Sequence, residues 1–131
     1  MKTSMASQDT TRTRRQRDGD DAEALAAAYL RRAGLQIQMQ NYRVRGGELD
    51  LIALDGEALV FVEVRYRKSM RFGGAAASID HRKQQRLIHA AQVYLMKHPH
   101  QAHRACRFDC ILLDALGTEH IEWIKDAFSL I

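Results

Sequence analysis

The segment 47–66, GELDLIALDGEALVFVEVRY, constrains the fold of this chain more than any other part of the sequence. It contains two runs rich in apolar and β-branched residues, 48–54 and 58–66, on either side of Asp55-Gly56-Glu57. A short polar turn containing Asp-Gly between two such runs is a strong signal for a β-hairpin. The segment therefore predicts two antiparallel strands at the centre of the fold.

Two acidic residues, Asp50 and Glu63, fall within these predicted strands. Because side chains alternate with period two, any loop of two or four residues places both of them, with Arg65, on one face. A Gly56-Glu57 loop or a four-residue loop sets Asp50 opposite Glu63 at roughly 5 Å, whereas an Asp55-Gly56 loop makes them diagonal at roughly 7–8 Å. The opposite face is predicted to be core: Leu49, Leu51, Ala53, Val62 and Val64.

This carboxylate pair has two interpretations that spacing alone leaves open. Two carboxylates at such distances repel each other unless a cation lies between them, and Mg²⁺ is satisfied by one or two carboxylates, waters and a phosphate oxygen. Alternatively, the pair belongs to a polar surface on which Arg65 neutralises Glu63.

The rest of the chain predicts two helices and three further strands. Helical spacing of apolar residues marks 20–33, which Gly34 follows, and 80–97, where Asp80 is placed to cap the start. Alternation marks a strand over 35–40, and strands are also predicted over 108–114 and 119–125. The order αβββαββ predicts an α/β fold with one mixed sheet flanked by helices.

Basic residues are unevenly distributed. Residues 1–18 hold five basic and two acidic residues, +3 of the total formal charge of +4. They have almost no apolar content, which predicts a disordered basic tail over 1–18 followed by one domain over 19–131. One basic cluster follows the predicted third strand, and another begins the predicted second helix. Together they form either a phosphate-binding patch or a solvated surface. These residues are Arg65, Arg67, Lys68, Arg71, Arg82, Lys83 and Arg86.

No feature of the sequence predicts export or membrane insertion. The polar N-terminus lacks the apolar run of a secretory signal, and no apolar stretch approaches the roughly 18 residues of a membrane span. Cys106 and Cys110 have no second pair, so they fit neither a disulfide framework nor a zinc site. These observations predict a cytoplasmic protein with no membrane partner.

Several motifs resemble one protein family. GELDLIA, a spacer of about ten residues and FVEVR are similar to the D…(D/E)xK core of the restriction-endonuclease-like nucleases. Residues 19–128 resemble the bacterial YraN family, through GDDAEALAAAYL, NYRVRGGELDLIALDG, LVFVEVRYRKS, RFGGAAASID with HRKQQRLIHAAQVYL, and RFDCILL. The resemblance implies a nuclease-like fold, a Mg²⁺ or Mn²⁺ cofactor and a role on nucleic acid. It also implies that Asp50 and Glu63 are metal ligands, with Glu23 reaching in from the first helix.

The sequence departs from that motif at Arg65, where the nucleases have lysine. The motif lysine orients or helps to deprotonate the attacking water and stabilises charge on the phosphate. Arginine supplies the electrostatic part but stays protonated, so it cannot act as a base. Lys68 or Lys83 could substitute. Two functions follow: a metal-dependent nuclease acting on DNA or RNA, with Asp50, Glu63 and Arg65 as catalytic residues, or a nucleic-acid-binding module that has lost turnover. A third alternative is a partner-docking protein.

Overall fold

The fold is described from a computed structural model that covers residues 13–66, 79–114 and 121–128. It contains one five-stranded sheet with two helices packed on it, and the predicted order αβββαββ is confirmed. In chain order the elements are α1 (Arg14–Arg32), β1 (Gln36–Val44), β2 (Gly47–Asp55), β3 (Ala58–Tyr66), α2 (His81–Lys97), a 3₁₀ turn (Pro99–Gln101), β4 (Cys106–Leu113) and β5 (Ile121–Phe128).

The sheet has mixed strand directions. Its spatial order is β1-β2-β3-β4-β5, and the β1–β2, β2–β3 and β4–β5 pairs are antiparallel. The β3–β4 pair is parallel, and α2 lies in the connection between these two strands. The predicted mixed α/β fold is therefore confirmed. Neither helix of the described part of the chain is long and apolar enough to cross a membrane.

Helix α1 begins at Arg14, six residues before the predicted start. Thr13 is its N-cap, accepting a hydrogen bond from the Gln16 backbone N–H while the Gln16 side chain accepts one from the Thr13 N–H. This capping box satisfies two of the N–H groups that a helix start leaves unpaired. The predicted tail over 1–18 therefore ended too late, because 13–18 belong to the cap and first turns of a helix. Residues 1–12 lie outside the described residues.

The two faces of the sheet carry separate apolar cores. On one face α1 buries Ala22, Ala26, Ala27 and Leu30 against Leu51, Ala53, Val60, Val62, Ile111 and Leu113. On the other face α2, capped by Asp80 as predicted, buries a second set of apolar side chains against the sheet. That set includes Leu87, Ile88, Ala91 and Tyr94 of the helix and Leu49, Ile52, Leu59, Phe61, Phe108 and Leu112 of the strands.

The side-chain alternation of β2 slips at Asp50. Leu49 packs on the α2 side and Leu51 on the α1 side, although a regular strand would place both on one face. On the neighbouring strand Asn41 adopts a φ of 54° at the same level, between the partners of Leu51 and Leu49, whereas the register shift of β1 lies between Ile37 and Met39. The prediction that Leu49 and Leu51 share a core face was therefore wrong, because it assumed an unbroken strand.

Gly47 lets α2 approach the beginning of β2 very closely. A Cβ added at this position would collide with the backbone oxygen of Arg86 and lie 3.2 Å from the Ala90 nitrogen. A side chain here would push the helix away, since close-packed interiors have no room for extra atoms. The glycine thus brings the first turns of α2 over the residue that follows it, Glu48.

Candidate functional site

The central feature of the site is a fork between β2 and β3. Their pairing ends at Leu51–Val62, beyond which β3 continues along β4 while β2 continues along β1. The hairpin pairs Asp55 with Ala58, so its loop is Gly56-Glu57. This is one of the two loops predicted to set Asp50 opposite Glu63. The Val64 backbone N–H donates instead to Oδ2 of Asp50, at 2.8 Å. Asp50 therefore lies in the opening of the fork.

A cavity of about 660 Å³ opens at this fork, bounded by both helices and the two diverging strands. It brings Glu23 of α1, Asp50 of β2 and Glu63 of β3 to one place, as the resemblance implied. Basic side chains line the same cavity. The charged residues lining the cavity are Arg14, Asp18, Glu23, Asp50, Glu63, Arg65 and Lys83.

Asp50 interacts with each of the other two carboxylates. Glu63 is only 5% exposed, and burial, followed by the charge of Asp50, raises its pKa to about 8. Burial and the charge of Asp50 also raise the pKa of Glu23 to about 7. A low-dielectric surrounding disfavours charge on either group, and the nearby carboxylate adds like-charge repulsion. Near neutral pH this cluster can therefore hold and release protons.

Two cations from different elements share one oxygen of Glu63. Arg65 places Nε 3.4 Å from Oε2 of Glu63, and Lys83 places Nζ 3.5 Å from the same atom. The predicted contact of Arg65 with Glu63 is thus present, and Lys83 contacts the same oxygen. Burial disfavours the Lys83 ammonium, but Glu63 and Glu48 outweigh that effect and raise its pKa. Lys83 is consequently protonated at neutral pH.

The second oxygen of Glu63, Oε1, is buried and has no hydrogen-bond partner. A buried acceptor without a donor costs free energy, and a hard cation would supply the missing interaction. Carboxylate oxygens are also the ligands that Mg²⁺ and Mn²⁺ prefer. The donor set of Glu23, Asp50 and Glu63 therefore fits such an ion chemically. Within 13–66, 79–114 and 121–128, however, no three acidic, histidine or cysteine side chains are already spaced to hold one. The carboxylates would have to move together, and Glu63 would have to give up its cations.

The predicted basic residues divide into three groups. Arg65 and Lys83 lie in the cavity, whereas Arg82 is exposed outside it. Arg86 is half exposed and donates from Nη2 to Oε1 of Glu48 at 2.6 Å. The remaining predicted phosphate contacts lie outside the described residues: Arg67, Lys68 and Arg71.

Sequence reasoning missed three residues of this site. Glu48 binds Lys83 and Arg86, Asn41 hydrogen-bonds to Glu23, and Arg14 lines the cavity from the first turn of α1. Thr13 followed by Gln16 was a readable capping signal that would have put Arg14 in a helix. No local signal connects Glu48 to a helix more than thirty residues away.

One further buried acid is structural. Asp109, 1% exposed, accepts hydrogen bonds from Arg107 Nε, the Trp123 indole N–H and the Asp126 backbone N–H, at 2.9 to 3.2 Å. These contacts join β4 to β5 and leave the carboxylate fully engaged. Asp109 therefore takes no part in the candidate site.

Comparison with known proteins places the chain in a family. The family described as Uncharacterised protein family UPF0102 matches residues 22–113, a span that includes both acids of the fork, Glu23 and Lys83. The chain belongs to this family. It is the YraN family that the hairpin motifs resemble, so that prediction is confirmed.

Similar proteins occur in several bacteria. A UPF0102 protein of Xanthomonas oryzae pv. oryzae (strain PXO99A) is 52% identical over 115 residues, covering 87% of this chain and 93% of its own length. A relative from Dechloromonas aromatica (strain RCB) is 51% identical over 121 residues, 92% of each chain. A third, from Pseudomonas putida (strain GB-1), is 49% identical over 116 residues, 86% of this chain and 93% of its own. These relatives thus match most of the chain, and the chain covers more than nine-tenths of the length of each of them.

The raised pKa values of Glu63 and Glu23 predict how stability depends on pH in the absence of divalent ions. A carboxyl that binds its proton more tightly when folded stabilises the protein fully below its unfolded pKa, near 4.5. That contribution is lost as pH rises through the folded values of about 7 and 8. The free energy of unfolding should therefore fall between pH 5 and pH 9, and Glu63→Gln should make the decline shallower.

Urea unfolding at a series of pH values in EDTA checks this expectation. Glu122→Gln, on an exposed position of β5, is the matched control and should keep the wild-type slope. An identical slope in Glu63→Gln and wild type would show that Glu63 does not titrate in this range.

Proposed function

We propose that this protein is a metal-dependent nuclease of the restriction-endonuclease-like class, acting on phosphodiesters of DNA or RNA. The observation that carries the proposal is the convergence of Glu23, Asp50 and Glu63 from three elements on one cavity. Arg65 and Lys83 supply positive charge in the same cavity. Clustered carboxylates with adjacent cations suit a metal ion and the phosphate group on which it acts.

Asp50 and Glu63 are the proposed ligands of Mg²⁺ or Mn²⁺, with Glu23 as a third or water-mediated ligand. When bound, such an ion lowers the pKa of a coordinated water and stabilises charge on a phosphate oxygen. Val64 holds the Asp50 carboxylate in the fork through its backbone N–H. Arg65 and Lys83 are placed to contact phosphate once Glu63 releases them, and Glu23 can accept a proton near neutral pH.

A nucleic-acid partner agrees with the charges around the cavity. Helix α2 presents Arg82 and Arg86 beside Lys83 at its beginning. Lysine and arginine side chains there would bind phosphates through charge and counterion release. Arg67, Lys68 and Arg71 are predicted from the sequence to contribute to the same binding, and they lie outside the described residues. Free Cys106 and Cys110 agree with a reducing cytoplasm as the compartment.

One observation favours a second function, a nucleic-acid-binding module without turnover. Arg65 occupies the position of the motif lysine, and Lys83, the one lysine among the described residues that line the cavity, has a raised pKa. Neither of these two cations can take a proton from water near neutral pH. The protein would then still bind nucleic acid through its positive charge, but neither Arg65 nor Lys83 would serve as the base for hydrolysis.

Binding of Mn²⁺ tests the proposed metal site. The wild-type protein should bind one Mn²⁺ weakly, and Asp50→Asn should lower the affinity at least about tenfold because a central carboxylate is lost. Asp55→Asn is the matched control, since Asp55 is on the same strand but pairs with Arg107 outside the cavity. Isothermal titration calorimetry gives both affinities. Equal affinity of wild type and Asp50→Asn would contradict the assignment.

The exchange Arg65→Lys separates the two functions. Both side chains are cationic and contact phosphate, but only lysine can shift its pKa toward neutrality when partly desolvated. We expect Arg65→Lys to raise cleavage of a branched, single-stranded or duplex substrate about tenfold or more in Mg²⁺ or Mn²⁺, with nearly unchanged affinity.

The remaining outcomes of the cleavage assay are also informative. Cleavage by wild type that Arg65→Lys preserves and Lys83→Ala or Lys68→Ala abolishes would mean that one of these lysines fills the role of the motif lysine. If neither wild type nor Arg65→Lys cleaves any substrate while both bind it, the binding module is the correct function.

A further inference from the structure

We propose, resting on the function proposed above, that Glu48 is a positioning residue that holds Lys83 as the mobile cation of the site. In this arrangement Lys83 lies against Glu63 while no divalent ion is bound. It stays at the cavity wall, held by Glu48, when an ion takes its place on Glu63. Lys83 thereby supplies the phosphate-contacting charge that the motif lysine would supply from the position of Arg65.

The contact between Gly47 and α2 makes this arrangement possible. The absence of a side chain at Gly47 lets the backbone of β2 approach Arg86 and Ala90. Glu48, the next residue, therefore lies beside the first turns of the helix, where both Lys83 and Arg86 can reach it. Asp80 caps this end of α2, because its side chain accepts a hydrogen bond from the Lys83 backbone N–H at 2.8 Å. The close contact at Gly47 and the cap at Asp80 thus both constrain the position of the Lys83 backbone.

The carboxylate of Glu48 divides its two oxygens between two cations. Oε2 accepts from Nζ of Lys83 at 3.0 Å, and Oε1 accepts from Nη2 of Arg86 at 2.6 Å. Two donors on different oxygens fix the orientation of a carboxylate more firmly than one. Burial of Glu48 disfavours its charged form, but the hydrogen bonds and positive charges of Arg86 and Lys83 outweigh burial and lower the pKa of Glu48. Glu48 is therefore ionised throughout the range in which Glu63 and Glu23 titrate.

Lys83 is shared between this anchor and the candidate metal ligand. Its Nζ lies 3.0 Å from Oε2 of Glu48 and 3.5 Å from Oε2 of Glu63. A divalent ion on Glu63 would repel the ammonium and take over its carboxylate, while the attraction of Glu48 would be unchanged. Because an ammonium has three donors, Lys83 can keep Glu48 and offer another N–H to a phosphate oxygen in the cavity that it lines.

Lys83 and Arg65 reach Glu63 from different elements. Arg65 follows Glu63 by two residues on the same strand, and its Nε lies 3.4 Å from Oε2 of Glu63. Lys83 comes from a separate helix, where Glu48 anchors it. Loss of Glu63 as a partner therefore leaves Lys83 with a defined position. This is the property that a group awaiting substrate needs.

Mn²⁺ alone, titrated calorimetrically into purified protein variants, tests the inference without any nuclease substrate. Lys83→Met removes one of the two cations that compete for Glu63, so Mn²⁺ should bind about threefold to tenfold more tightly. Glu48→Gln frees Lys83 to remain on Glu63, so Mn²⁺ should bind several-fold more weakly. The double variant should bind like Lys83→Met, because Glu48 acts through Lys83.

Three controls accompany these variants. Lys97→Met removes a positive charge from the exposed last turn of the same helix and should leave Mn²⁺ affinity unchanged. Lys83→Arg keeps the charge and should restore an affinity near that of wild type. Glu48→Asp keeps the anion but shortens its reach, so it should give an intermediate affinity and serves in place of Glu48→Gln if that variant does not fold.

The outcomes separate this inference from the proposed function. If wild type binds Mn²⁺ but Glu48→Gln weakens binding equally with and without Lys83, then Glu48 acts only as a nearby charge and the inference is overturned. An unchanged affinity in Lys83→Met would also overturn it. If wild type binds no Mn²⁺ at all, the proposed metal-dependent function fails and the inference fails with it.

Discussion

The end of the β2–β3 ladder at Leu51–Val62 is the constraint on which the candidate site depends. Had the ladder continued, Asp50 would be an ordinary cross-strand neighbour of Glu63 on a flat sheet. Instead the strands diverge, and the Asp50 carboxylate binds the Val64 backbone N–H inside the fork. The slip at Asp50 and the positive φ of Asn41 on the next strand occur at the same level. Such locally unfavourable backbone persists where the surrounding structure enforces it, often at functional sites.

Placing several ionisable groups together at the fork costs free energy, and the positions of the neighbouring cations reduce that cost. A buried carboxylate beside another carboxylate is unfavourable, and the raised pKa values of Glu63 and Glu23 express that cost. Arg65 and Lys83 offset part of it, since each lies within 3.5 Å of Glu63. Removing one partner of such a cluster leaves the others uncompensated. A cluster that is costly for stability but surrounds an open cavity is better explained by function than by folding.

The sequence predicted the fold well because its signals are local. The turn at Asp55-Gly56-Glu57 and the alternation of the flanking runs determine the hairpin, and they placed Asp50, Glu63 and Arg65 together without any reference to a family. Glu23 was different: in the sequence it is an acid near the start of a helix, and only the resemblance connected it to the hairpin. The site around Glu48 and Lys83 could not be predicted, since it depends on how closely α2 packs over Gly47. The alternation slip at Asp50 was likewise not predicted, because an apolar residue precedes and follows Asp50, as in an unbroken strand.

The central claim is that the carboxylates at the fork form a divalent-ion site, and a crystal of the protein soaked in Mn²⁺ tests it most directly. Anomalous scattering locates manganese independently of any assumption about ligands. The account predicts one peak in the fork, bound by oxygens of Asp50 and Glu63 and within reach of Glu23, with Lys83 withdrawn from Glu63 but still on Glu48. A crystal with no peak at the fork, or with manganese elsewhere while Arg65 and Lys83 remain on Glu63, would contradict it.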